Sequence, residues 1–157
     1  MLCGIILIMK TVYLPVEGLA EKECYIDEDQ QIHAPGLAPT RMSIDDNLIV
    51  QVDVGLHTLA KDDLTNRITT AASKWLRAQG KRPSMLADLR KTTKIEVDAR
   101  QNAAKTYDKL GIEKMAVFGE NGLMPYLVIL AARLFSNGFM RHFNTEADAR
   151  AWLARFK

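Results

Sequence analysis

Apolar and polar residues follow one another along this chain in two rhythms, and the first of them is the rhythm of strands. Ile5, Ile6, Leu7, Ile8, Val12 and Tyr13 form a β-branched and aromatic run that Pro15 and Gly18 bring to an end, which predicts a strand. Cys24 to Ile26 adds a short one. Residues 27–40 carry two prolines, a glycine and few apolar side chains, and so predict a surface loop, the most mobile part of the fold. Met42 and Ile44, then the turn pair Asp46-Asn47, then Leu48, Val50, Val52 and Val54 give two alternating runs around a turn, the pattern of a hairpin.

From Asp62 the period becomes helical. Leu64, Ile68, Ala71, Ala72, Trp75 and Leu76 predict an amphipathic helix that Gly80 stops. After Pro83, the run Met85 to Leu89 reads as a buried parallel strand. A second helix follows over 97–110, with Ala99, Ala103, Tyr107 and Leu110 on one face and Gly111 closing it. Then come a strand over 114–118, a tight loop over 119–122, and a third helix over 123–135 that is apolar almost all round. A strand over 139–143 leads to Thr145 and Asp148, spaced as a capping box that opens a last helix carrying Ala149, Trp152, Leu153 and Phe156 inward. Strands alternating with helices imply parallel pairing through right-handed crossovers. The expected fold is therefore α/β: a single domain with a mixed, mostly parallel sheet, N-terminal antiparallel strands and about four helices. Residues 1–47 form an extension of strands and loop, and residues 48–157 form the α/β domain.

Composition narrows the class. A chain of 157 residues fits one domain, and its 48% hydrophobic and 25% charged residues exclude disordered, collagenous and coiled-coil proteins. Twenty-one basic residues against nineteen acidic ones leave a net +2 spread along the chain, with no basic stripe of the kind nucleic acid requires. Cys3 and Cys24 can form one bridge at most and belong to no metal-binding cluster, which suits a reducing, cytoplasmic setting. Leu2 to Met9 is far shorter than the roughly 20 residues that cross a bilayer, and lacks the flanks of a secretory signal. It is either a strand or lies upstream of a start at Met9.

Several stretches together resemble a known family: Ser84-Met-Leu-Ala-Asp-Leu-Arg90, Asp98-Ala-Arg100, Lys114-Met-Ala-Val-Phe-Gly119 and Phe143-Asn-Thr-Glu-Ala-Asp-Ala-Arg-Ala-Trp-Leu153. Their order and spacing resemble the bacterial SpoIIAA-like family, within the STAS-domain and CRAL-TRIO-like fold group, over about residues 48–157. The resemblance implies a regulatory or protein-interaction module rather than an enzyme, while related folds bind nucleotides or lipids. Anti-sigma-factor antagonists of the STAS group switch on a phosphorylatable serine at the start of the helix after the second parallel strand. Here that stretch is Ile95-Glu-Val-Asp-Ala-Arg100, without serine or glycine, and the nearby Thr92 and Thr93 do not match the motif.

The chemistry readable from residues alone is sparse. His33, His57 and His142 make no metal-binding pair, and no nucleophile elbow, metalloprotease, P-loop or dinucleotide motif is present. No metal, cofactor or catalytic residue is assigned. His142, on a strand, reads as a packed or hydrogen-bonded structural group, and His57 as a loop histidine. Open α/β sheets bind ligands beyond the carboxyl ends of their strands. That rule selects Asp88, Arg90, Thr92, Thr93 and Lys94, the loop residues Gly119, Asn121 and Gly122, and Asp98 at the start of the second helix as candidates for binding a ligand or partner. The plainer alternative is that Asp88 caps or forms a salt bridge, Arg90 is solvated and the glycines permit a turn. A protein partner on this face is the first expectation. A small apolar ligand or lipid held against the third helix is the second, and an enzyme at the Asp88 and Asn121 rim comes last. The uncharged N-terminal run predicts pairing at a sheet edge, within the chain or across a two-fold axis in a homodimer.

Overall fold

The computed structural model describes residues 11–119 and 139–157. Its sheet has eight strands in sequence order: β1 (Val12–Tyr13), β2 (Tyr25–Ile26), β3 (Gln31–His33), β4 (Arg41–Asp45), β5 (Leu48–His57), β6 (Ser84–Ile95), β7 (Met115–Phe118) and β8 (Met140–Phe143). Pairing is antiparallel from β1 to β5 and parallel from β5 to β8. Three helices are described: α1 (Leu59–Ala78), α2 (Val97–Thr106) and α3 (Glu146–Leu153). The molecule is thus a single α/β domain with a mixed sheet. The helix expected over 123–135, Asn121, Gly122 and the N-terminal run Leu2 to Met9 lie outside the described residues.

Local chemistry explains the elements. Period-two alternation in β4 and β5 sends Met42, Ile44 and Ile49 to one face, and Asp46 turns the chain between them at φ 56°, a conformation aspartate tolerates. Helix α1 starts where the Thr58 side chain accepts the Lys61 amide. It ends in Gly80 at φ 76°, whose left-handed backbone lets the Lys81 amide reach the Leu76 carbonyl at 3.1 Å.

Two apolar layers result. Ile68, Ala72 and Leu76 of α1 pack on Ile26, Ile32, Met42, Ile49 and Val117 across one face of the sheet. On the other face, Ala149, Trp152 and Leu153 of α3 cover Leu48, Leu86, Ala116 and Phe118.

Two expectations change. The segment 27–40 is not simply a surface loop: it contains β3 and buries Ile32, Leu37 and Thr40, so three scattered residues suffice to anchor it to the core. Strand β6 does not end near Leu89 but runs on to Ile95, paired with β5 as far as His57 through two irregularities in register. The polar composition of residues 90–94 disguised it, because a two-stranded ribbon projecting beyond the sheet needs few apolar side chains.

Candidate functional site

At the strand ends, Asp88 faces away from α1 and its carboxylate is almost fully buried. It accepts from the Arg90 guanidinium at 3.0 and 2.7 Å and from the Arg90 backbone amide at 3.0 Å. Burial alone would raise its pKa, but the Arg90 hydrogen bonds and charge outweigh that and hold it below the usual carboxylate range. The same guanidinium lies 5.0 Å above the Phe118 ring. Arg90 is therefore an ion-pair and stacking partner rather than a merely solvated charge. Gly119 completes this corner, since a Cβ there would stand 3.0 Å from the Arg90 nitrogen. Just behind it, the His142 ring donates to the Gly119 carbonyl at 3.2 Å, the structural role expected for that histidine.

The other candidates separate from this corner. Thr92 is buried, with its hydroxyl donating to the Asp53 carbonyl at 3.4 Å, so it braces β6 against β5 instead of lining a rim. Thr93 and Lys94 are exposed along the ribbon, and Asp98 is exposed in the first turn of α2.

The group that sequence reasoning missed lies beneath the ribbon. His57 is not a loop residue but the buried last residue of β5, held between two carboxylates. Its Nδ1 donates to Asp53 at 3.0 Å and its Nε2 to Asp62 of α1 at 3.2 Å, all three side chains being less than one-tenth exposed. A carboxylate only accepts, so a ring bonded on both sides carries both protons and is an imidazolium. Burial would lower its pKa, but Asp53 and Asp62 together push it up to about 9. The second Asp62 oxygen accepts from Asn66 of α1 at 3.3 Å and from Asn102 of α2 at 3.1 Å. Asn66 also reaches Thr106 of α2 at 3.1 Å. Burial, and then the charges of Asp62 and Asp53, hold the Tyr107 phenol above its ordinary range. The spacing of Asp53, His57 and Asp62 gave a weak clue: alternation along β5 puts both Asp53 and His57 on the α1 face, provided the strand is known to reach His57.

Above this cluster the surface is apolar with charges of both signs, exposed Lys91 and Lys94 beside exposed Glu96 and Asp98. Among the described residues, three of the four exposed large hydrophobic side chains, Leu56, Leu59 and Val97, stand at the ends of β5, α1 and α2 that meet here. Leu56 lies opposite Lys94 in the ribbon. A groove of about 420 Å³ opens elsewhere, between β3 and β4, lined by Tyr25, His33, Leu37 and Arg41 among others, and does not coincide with the strand-end candidates. Among the described residues no group of three His, Cys, Asp or Glu side chains is arranged to hold a metal ion, and no helix is long and apolar enough to cross a membrane.

The sequence model of the SpoIIAA-like family matches residues 50–154. The chain belongs to the SpoIIAA-like family. Strands β1 to β4 lie ahead of the matched region. Among solved structures, an uncharacterised protein of the DUF3478 family with a SpoIIAA-like fold from Shewanella loihica PV-4 is similar at 19% identity and TM-score 0.53, over 73% of this chain and 91% of that one. The anti-sigma factor antagonist SpoIIAA in its unphosphorylated form is similar at 9% identity and TM-score 0.52, over 73% of this chain and 97% of that one. At these identities the likeness is one of fold. No curated protein matches the chain.

Proposed function

We propose that this SpoIIAA-like chain is a non-catalytic regulatory module that binds a protein partner on the surface formed by the β5–β6 ribbon and the first turn of α2. The observation that carries the reading is that three of the four exposed large hydrophobic side chains among the described residues, Leu56, Leu59 and Val97, stand at this end of the fold near exposed Lys91 and Lys94, since exposed apolar side chains gathered in one region mark surfaces that a partner covers. Asp98 and Thr93 stand at the edge of this surface and would select polar groups of the partner. Asp88, Arg90 and Gly119 form the corner on which it rests, and among the described residues no nucleophile and base meet there.

A photo-crosslinker placed at Val97 and, as a control, at the exposed Lys74 of α1 tests the reading in extract from the native host. A defined protein adduct is expected at Val97 alone, and Leu56→Asp combined with Val97→Asp should abolish retention of that same protein while melting stays unchanged. An adduct pattern indifferent to position, or a partner retained by the double variant, overturns it. So does turnover of a metabolite by the purified chain.

A further inference from the structure

The net charge is not spread evenly once the fold divides it. Residues 11–47, which build β1 to β4, hold eight acidic residues against two basic ones, whereas residues 48–119 and 139–157 hold seventeen basic against ten acidic. The two portions of the fold therefore carry opposite net charge. On the face away from α1, helix α3 packs over β6, β7 and β8. Beside it the same face continues as a ledge across β1 to β4, where Tyr13, Gln31, His33 and Arg41 are exposed. Tyr13 meets Tyr25 edge-on at 6.3 Å, and Tyr25 stacks on His33 at 4.9 Å, so an aromatic row runs across the ledge beside the groove that Tyr25, His33 and Arg41 line. The outer side of α3 and the turn after it is a ridge of small residues: Ala147, Ala151 and Ala154 are exposed at one-turn spacing.

We propose that a second copy of this chain binds face to face across a two-fold axis parallel to the strands, each copy laying its α3 on the other's β1–β4 ledge. Such a rotation exchanges left and right but preserves position along the strands, so each copy supplies a helix to the half-face on which no helix packs among the described residues. Charge matches at one end of the contact. Near the first turn of α3, where Glu146 is already paired with Arg150, the ledge carries charges of both signs, Lys22 and Arg41 beside Glu21 and Glu23, and that end contributes no net attraction. At the other end, exposed Arg155 falls at the level of the β2–β3 turn, which carries exposed Glu28 and Asp29. The levels follow from the chain itself: Ile44 bonds Gln30 beside that turn, and Asp45, next along β4, is paired with Arg150 of α3. Tyrosine-rich floors and small-residue ridges lose little side-chain entropy when they close on each other. This surface lies apart from the ribbon proposed for the protein partner, so the two readings stand or fall separately.

The test is a charge swap read by sedimentation equilibrium. At about 100 μM and about 50 mM salt, the wild-type chain should sediment at twice its 17.6 kDa mass and dissociate as salt rises. Arg155→Glu alone, and Glu28→Lys with Asp29→Lys alone, should each weaken the dimer at least about tenfold, roughly the 1.4 kcal/mol of one lost charge pairing at each of two equivalent contacts. Mixing the two variants should restore it, because in the mixed pair both contacts again join opposite charges. Ala151→Trp, at an exposed position, should block association without changing the melting temperature. A wild-type chain that stays monomeric under these conditions overturns the proposal and leaves the ledge to a foreign partner. A dimer that survives both charge variants, or one that vanishes only when residues 1–8 are deleted, overturns it as well.

Discussion

Helix α2 packs on α1 and helix α3 on the opposite face of the sheet, and the two are held there by different chemistry. Trp152 of α3 lies between Phe143 at 5.6 Å and Phe156 at 5.2 Å, with Ala149 and Leu153 fully buried beside it. Helix α2 buries Ala99, and its Asn102 and Thr106 bond to Asp62 and Asn66, which belong to the ion cluster centred on His57. Apolar packing is indifferent to protonation and costs most when its volume is removed. Hydrogen bonds to a buried cluster depend on every group keeping its charge. One helix is thus fixed by shape and the other by a proton inventory, and the second kind of attachment is the one that can be loosened without emptying the core. That is a useful property beneath a proposed partner surface that includes the first turn of α2.

Removing the aromatic anchor should have the largest effect. Trp152→Ala deletes a buried indole and is expected to destabilise the fold by about 3–5 kcal/mol in urea unfolding. The loss should be the same at acid and alkaline ends of the working range. A change under about 1 kcal/mol would show that α3 is held by something other than this packing.

The His57 cluster should give a somewhat smaller effect with a definite pH signature. The folded-state pKa of about 9 lies above the ordinary imidazole value of 6.5, so the imidazolium contributes stability that is fully present below about pH 6.5 and is lost as pH rises through 9. The gap corresponds to about 3 kcal/mol. Urea midpoints should fall over that window in the wild type. The slope attributable to this group should vanish in His57→Gln, which starts from lower stability because Asp53 and Asp62 then face each other without a cation. An unchanged slope in that variant would mean that another group sets the pH dependence.

The same contrast decides how much could be read from sequence. Trp152 and Phe156 announced α3 through helical spacing, and Thr145 with Asp148 announced its start, because apolar periodicity and caps are local signals. Leu64, Ile68 and Leu76 did the same for α1. The Asp53, His57 and Asp62 cluster gave no such signal, since three polar residues around a strand end look like a loop until β5 is known to continue and α1 to start at Leu59. Strand β3 was hidden for a related reason, with one buried isoleucine in a three-residue strand. Of the candidate residues, Asp88, Arg90 and Gly119 do converge, because all three stand where β6 and β7 run side by side. Thr92 was lost to the interior because the irregularity in β6 between Asp88 and Lys91 breaks the alternation and sets it opposite Gly55, against Asp53.

Asn102 permits a gentler loosening of α2. Asn102→Ala removes one of the two amides that donate to the second Asp62 oxygen and should cost about 1.5–3 kcal/mol, the range for a hydrogen bond to a charged group. Hydrogen exchange should accelerate along α2 while α3 amides keep their protection. Uniform acceleration in both helices would show that α2 has no attachment of its own.

The smallest expected effect concerns the polar contact that fixes where α3 begins. The Thr145 hydroxyl accepts the Asp148 amide at 3.2 Å and donates to the Asp148 carboxylate at 2.8 Å, so residue 148 does not reach back to the cap's backbone as in a full capping box. Thr145→Ala leaves that amide without its partner, and water can replace it because both residues are exposed. The cost should therefore stay near about 1 kcal/mol, and Thr145→Ser should recover most of it. Exchange should accelerate only in the first turn of α3, because Trp152 and Leu153 hold the remainder by packing. If Thr145→Ala instead releases α3 along its whole length, the helix depends on its cap much as α2 depends on Asp62, and the distinction between the two attachments fails.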